Sequence, residues 1–202
     1  MTPVDPAARV GEIVEASTVE FVAQCYRLDG APPFGSLVRA SDGWRDVFGV
    51  IARVETGSLD AGRRVTPRGA DEVDEASLFE HNPELAALLR TEFTALVVGY
   101  RNERGEVLHR MPPHPPRLHG FVHRCDDAEL LAFGQRLDYL ATLVATPSRT
   151  PIDELIGAAL RQGAAVRDDP HDYLVAAGKR LAGLVGNDVQ RLGTILRCAR
   201  PG

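Results

Sequence analysis

The chain has 202 residues, enough for one good-sized domain or two small ones. Its formal charge of −5 is mild and argues against a general nucleic-acid binder on bulk charge. No apolar run approaches the length of a membrane span, and the start, MTPVDPAARV, lacks the apolar core of a signal peptide. Cys25, Cys125 and Cys198 are odd in number and far apart, so reduced thiols in a cytoplasmic protein are expected. Lys179 is the only lysine, a bias that fits a genome rich in G and C.

Residues 1–8 contain two prolines and read as a mobile lead-in. Short apolar runs then follow, each ended by Gly, Pro, Asp or Asn: Val10–Ala16, Val19–Leu28, Leu37–Ala40 and Val47–Val54. Val19, Phe21, Ala23 and Cys25 alternate with their neighbours at the period of a half-buried strand, so Cys25 is expected to face inward as an apolar filler. Trp44, in Asp42-Gly43-Trp44, falls at a hairpin tip. There it is either a lid on a barrel, the favoured reading, or an exposed anchor for a partner. Residues 59–71 read as a loop. Residues 72–90 turn acidic and helical, with Asn82 expected as N-cap and Pro83 at the first helical position. Apolar β pattern on both sides marks this stretch as an insertion between strands. Thr91–Tyr100 is a strand with both faces buried, and Val107–Met111 is a short one.

Pro112, Pro113, Pro115 and Pro116 make an extended crossing, after which Phe121 and Val122 begin a last strand. The rest is helical. Asp126 and Asp127 open a helix whose stripe is Leu130, Phe133, Leu137, Leu140, Ala141 and Val144. Thr146–Thr150 is a break, Thr150 is expected to cap the next helix, and Ile152, Leu155, Ile156, Ala159 and Leu160 fit the helical template. A third helix starts at Asp169-Pro170 and ends at Gly186-Asn187. A fourth carries Val189, Leu192, Ile195 and Leu196. Residues 161–202 hold seven cations against four acids, so the tail is +3 and the remainder −8. A solvated helix face is the plain reading of that split, and a contact surface for nucleic acid or an acidic partner is the other.

The chemical motifs are mostly negative. Gly178-Lys179 is the only Gly-Lys pair. A Walker A loop needs Gly where Tyr173 stands and Ser or Thr where Arg180 stands, so no ATP site of that kind is expected. His109, His114, His119, His123 and Cys125 lie close in sequence, but irregular spacing and intervening prolines predict surface histidines rather than a metal site. No GxSxG elbow is present. The expectation is no catalytic residue, no cofactor and no metal. In their place stands a candidate partner interface of Trp44, Arg191, Leu192, Ile195, Leu196 and Arg197. The last five give an apolar seam with a basic rim.

A resemblance gives this pattern a family. Val10-Gly11-Glu12-Ile13-Val14, Ser17-Thr18 with Glu20-Phe21, Gly35-Ser36-Leu37-Val38, Gly49-Val50-Ile51, Thr91–Gly99 and the Pro112–Pro116 crossing together resemble the HAS-barrel. That is the N-terminal barrel shared by HerA-type hexameric DNA translocases and the catalytic subunits of rotary ATP synthases. The resemblance implies an α+β fold: a HAS-like β-barrel over 9–125, with a helical insertion at 72–90, followed by helices over 126–202. In the translocases a RecA-like ATPase follows the barrel; here helices without a Walker A follow it. What the resemblance implies is therefore the barrel's assembly role. That is self-association in a ring, or association with a HerA-like ATPase or its NurA-type nuclease in DNA processing. A nucleic-acid-binding module using the barrel surface and basic helices is the alternative.

Overall fold

Alternating apolar residues give each strand two faces, and in the two longest strands both faces are buried. The structure is a computed structural model that describes residues 9–60, 62–147 and 150–200. Residues 1–8, and Ser148 and Arg149 within the expected break before the second helix, lie outside the described residues. Among the described residues seven strands form one antiparallel sheet: β1 (Arg9–Ala16), β2 (Glu20–Cys25), β3 (Leu37–Ser41), β4 (Asp46–Ser58), β5 (Leu89–Arg101), β6 (Val107–Leu108) and β7 (Phe121–Arg124). Six close into a ring in the order β2-β1-β7-β3-β4-β5, with β5 pairing back onto β2 and β6 appended to β5. Register shifts in β1 between Ile13 and Glu15, and in β4 at Phe48/Gly49 and Ile51/Arg53, supply the bends that closure needs. The fold is the expected one: α+β, a closed barrel with helices.

Period two divides the apolar residues of the long strands between two cores. Val47 and Ile51 of β4, with Phe93, Ala95 and Val97 of β5, point into the barrel, where they meet Ile13, Phe21, Ala23, Cys25, Val38 and Val122. Phe48, Val50 and Ala52 of β4, with Leu96 and Val98 of β5, point outward into a second core built with the helices. The outer face of β3, β4 and β5 is thus covered rather than wet.

The insertion carries α1 (Glu75–His81) and α2 (Glu84–Ala87); the covering layer is α3 (Asp127–Phe133), α4 (Tyr139–Ala145), α5 (Ile152–Ala165), α6 (Pro170–Val185) and α7 (Val189–Cys198). Local chemistry sets their starts. Asp126 and Glu129 form a reciprocal capping box on α3. Asp169 accepts from the Asp172 N–H with Pro170 in the first turn of α6, and Asp188 accepts from the Arg191 N–H on α7. Glu129 also reaches the barrel, 2.6 Å from Arg39 of β3 and 3.7 Å from Arg101 of β5.

Four local expectations are corrected. The stripe from Leu130 to Val144 is two helices, because α3 stops at Gly134 and α4 starts only at Tyr139. Thr150 does not cap α5; Pro151 holds that position, and the Thr150 hydroxyl donates to the Ala52 carbonyl of β4. Asn82 closes α1 (Glu75–His81) instead of opening α2 (Glu84–Ala87): its side-chain amide donates to the Leu78 carbonyl. The strand expected over Val107–Met111 is only Val107–Leu108, three residues short of Pro112. The insertion sits at the far end of the β4–β5 ribbon, which runs out to the pair Ser58–Leu89.

Candidate interaction surface

The β3–β4 hairpin projects from the barrel, and its tip is tightly built. Asp42 is buried, and its Oδ1 accepts from the backbone N–H groups of both Trp44 and Arg45 at 2.8 Å. Gly43 has φ +104°, a conformation L-residues rarely adopt, and a Cβ there would land inside the Arg117 guanidinium. Arg117 comes from the proline crossing. Its Nε donates to the Asp42 carbonyl at 3.1 Å, its backbone N–H donates to the Ser41 carbonyl, and its guanidinium lies 5.2 Å from the centre of the Trp44 ring. Trp44 itself is 68% exposed. The lid reading is therefore overturned: the indole stands in solvent, on a pre-ordered loop, beside one cation. Sequence reasoning missed Arg117 because its link to Trp44 spans 73 positions and follows no periodicity.

The other candidate residues lie on α7, and here the structure corrects the expectation. Ile195 is fully buried, and Leu192 packs against the same core, which α7 shares with α5 and α6. Arg191 is half-buried and pairs with Asp153 of α5 at 2.8 Å. Leu196 is half-buried; only Arg197 is exposed, donating to the Thr194 hydroxyl. The seam is internal because α5, α6 and α7 are each amphipathic and bury one another's stripes. Trp44 and the α7 residues do not form one surface patch.

Other tail cations also hold the chain's own groups. Arg180 pairs with Asp138, Arg161 donates to the Cys198 carbonyl, and Arg167 donates to the Gly163 carbonyl while stacking on Tyr173. The histidines expected at the surface divide. His114 and His119 are exposed, His119 meeting Glu12 at 2.5 Å. His123 is buried on β7, and the His109 ring lies against those of Phe133 and Tyr139. Among the described residues no three His, Cys, Asp or Glu side chains converge as a metal site. Burial, then Glu92, pushes the Cys25 thiol up to about 11, and burial raises Cys125 well above the usual thiol range. Neither thiol is a reactive thiolate at neutral pH. Gly178-Lys179 lies inside α6, where the backbone N–H groups are used by the helix.

His109 and His123 set a pH dependence. Burial holds both below 6.5, outweighing Asp138 for His109 and Asp46 for His123. The unfolded chain therefore binds more protons just below that value, so their contribution is complete above it and is lost as pH falls toward the folded-state values. The denaturant midpoint is expected to drop between about pH 7.5 and about pH 5, and His109→Phe, among aromatic neighbours, to flatten that drop. An unchanged pH profile in the variant would show that His109 contributes nothing to it.

With the geometry in view, the comparisons are specific on one point. Residues 10–103 match the HAS barrel domain, and the barrel of this chain is a HAS barrel. The matched segment ends before β6, while the strand that completes the ring, β7, lies beyond it. This domain type is found in HerA-like proteins. A comparison with curated proteins gave no match. Among the described residues no helix is long and apolar enough to cross a membrane.

Proposed function

We propose that this chain is a non-enzymatic assembly or adaptor subunit that joins a HerA-like ATPase, or its associated nuclease, in DNA processing. The observation that carries this reading is the HAS barrel followed by helices that cover its flank and carry no Walker A loop. The Trp44 tip supports it. An exposed indole on a hydrogen-bonded turn costs little ordering entropy on binding, and Trp leads the residues that dominate interface energies. The DNA-binding alternative draws on the same tail, but Arg161, Arg167, Arg180 and Arg191 are engaged within the chain.

The test is size-exclusion chromatography with light scattering on the chain mixed with a HerA-like ATPase and, separately, with its nuclease. A stable complex is expected with one of them. Trp44→Ala should weaken it by about 2 kcal/mol, roughly thirtyfold, with the unfolding midpoint unchanged. No complex with either partner, together with salt-dependent DNA binding by the chain alone, would favour the nucleic-acid reading.

A further inference from the structure

The insertion between β4 and β5 carries a feature that neither the barrel nor the helical layer uses. Leu59, Asp60 and residues 63–68 face α1 and α2 across a half-open groove of about 430 Å³. Its walls are Leu59, Val65, Leu78, Phe79, Leu85 and Leu88, all at least partly exposed. The groove is rimmed by Arg63, Arg64 and Arg68. None of these arginines makes an ion pair among the described residues, although most of the chain's other surface arginines lie against a carboxylate, a carbonyl or a ring.

Immediately after the basic loop comes an acidic turn, Asp71-Glu72-Val73-Asp74, that leads into α1. At its centre Val73 is 94% exposed, the most exposed large apolar residue described. Asp74 caps α1, and Glu72 reaches back to His81 at 2.9 Å, so the turn is locally ordered. One small element thus presents an apolar groove with a cationic rim, and beside it an apolar knob with an anionic rim. A knob cannot enter the groove next to it on the same element. A two-fold rotation places it on the groove of a second molecule, and the same operation fills the first groove in return.

We infer that the insertion is a self-complementary contact through which two copies of this chain associate, Val73 and its acidic flanks of each copy seating on the arginine-rimmed groove of the other. A small anionic amphiphile fits less well, since the groove is open along one side and acidic groups stand beside its basic rim. The contact is independent of any HerA-like partner, whose failure to bind would leave it untouched.

Charge reversal provides the test, read by sedimentation velocity on the full chain at low and high salt. The wild type is expected to dimerise at low salt, and to dissociate as salt rises. A basic-loop variant (Arg63→Glu, Arg64→Glu, Arg68→Glu) and an acidic-turn variant (Asp71→Lys, Glu72→Lys) should each be monomeric, while their mixture forms a heterodimer, because the substituted loop of one then faces the substituted turn of the other with opposite charge and the second contact is wild type on both sides. Val73→Ser, at a site open to solvent, leaves the monomer's folding and charge intact and should weaken the dimer at least about tenfold. A wild type that stays monomeric at about 100 μM, where contacts of the weakest biological class are already populated, overturns the inference. So does a dimer indifferent to Val73→Ser, or a mixture that fails to reassociate.

Discussion

Ile195→Ala is expected to destabilise the whole protein by about 2 to 5 kcal/mol, and Ile195→Asp to leave it largely unfolded. Ile195 is fully buried on α7, in the core that Phe48, Val50 and Leu96 of the barrel share with α4, α5 and α6. Alanine removes methylenes and leaves a cavity where α7 packs on α5 and α6. Aspartate adds an uncompensated charge. Because barrel and helices meet in that one core, loss should appear as a single cooperative transition by both fluorescence and circular dichroism. Deleting residues 187–202 is expected to act in the same direction, by exposing the stripes of α5 and α6. A partner seam would behave oppositely: Ile195→Ala would leave the unfolding midpoint unchanged and abolish a complex instead.

The strands were legible because their signals are local. Val47–Val54 reads as an apolar run of strand length, and Thr91–Tyr100 as a strand buried on both faces, which is what a barrel wall covered by helices requires. The Asp126 and Asp169-Pro170 starts were legible for the same reason: a cap satisfies donors within its own first turn. What was not legible is where stripes point. The seam of α7 looks the same in sequence whether it packs on α5 or on another molecule, and only the folded chain decides. Nor could sequence tell a lid from an anchor at Trp44, because the answer depends on Arg117 arriving from the far side of the insertion and crossing to fix the hairpin. The groove of the insertion was invisible for a further reason. Its walls come from a loop and from two helices of seven and four residues, too short to show a stripe.

The residue on which the docking of the two layers turns is Gly35. It sits at the third position of a turn, Pro33-Phe34-Gly35-Ser36, closed by the Ser36 N–H donating to the Pro33 carbonyl, and its φ of +82° suits glycine there. The turn is clamped on both sides. The Gly35 N–H donates to the Ile51 carbonyl of β4 at 2.8 Å, and the Gln162 side chain of α5 donates to the Phe34 carbonyl at 3.1 Å. A Cβ at Gly35 would stand 2.6 Å from Ala158 Cβ and 2.9 Å from the Ala158 carbonyl carbon, both on α5. Gly35→Ala therefore meets two penalties. The left-handed backbone costs about 1 to 2 kcal/mol for an L-residue, and forcing a methyl between the turn and α5 costs about 1 to 3 kcal/mol. Neither is relieved easily, because moving the turn breaks its bond to β4 and moving α5 breaks the shared core. The expected loss is about 2 to 5 kcal/mol by urea unfolding, comparable to Ile195→Ala. Adding Ala158→Gly separates the two penalties: it removes the Cβ contact but not the strained φ or the backbone contact, so it should restore part of the loss and no more. If Gly35→Ala lies within about 0.5 kcal/mol of wild type, as an ordinary surface change would, the turn is not what joins the barrel to its helices.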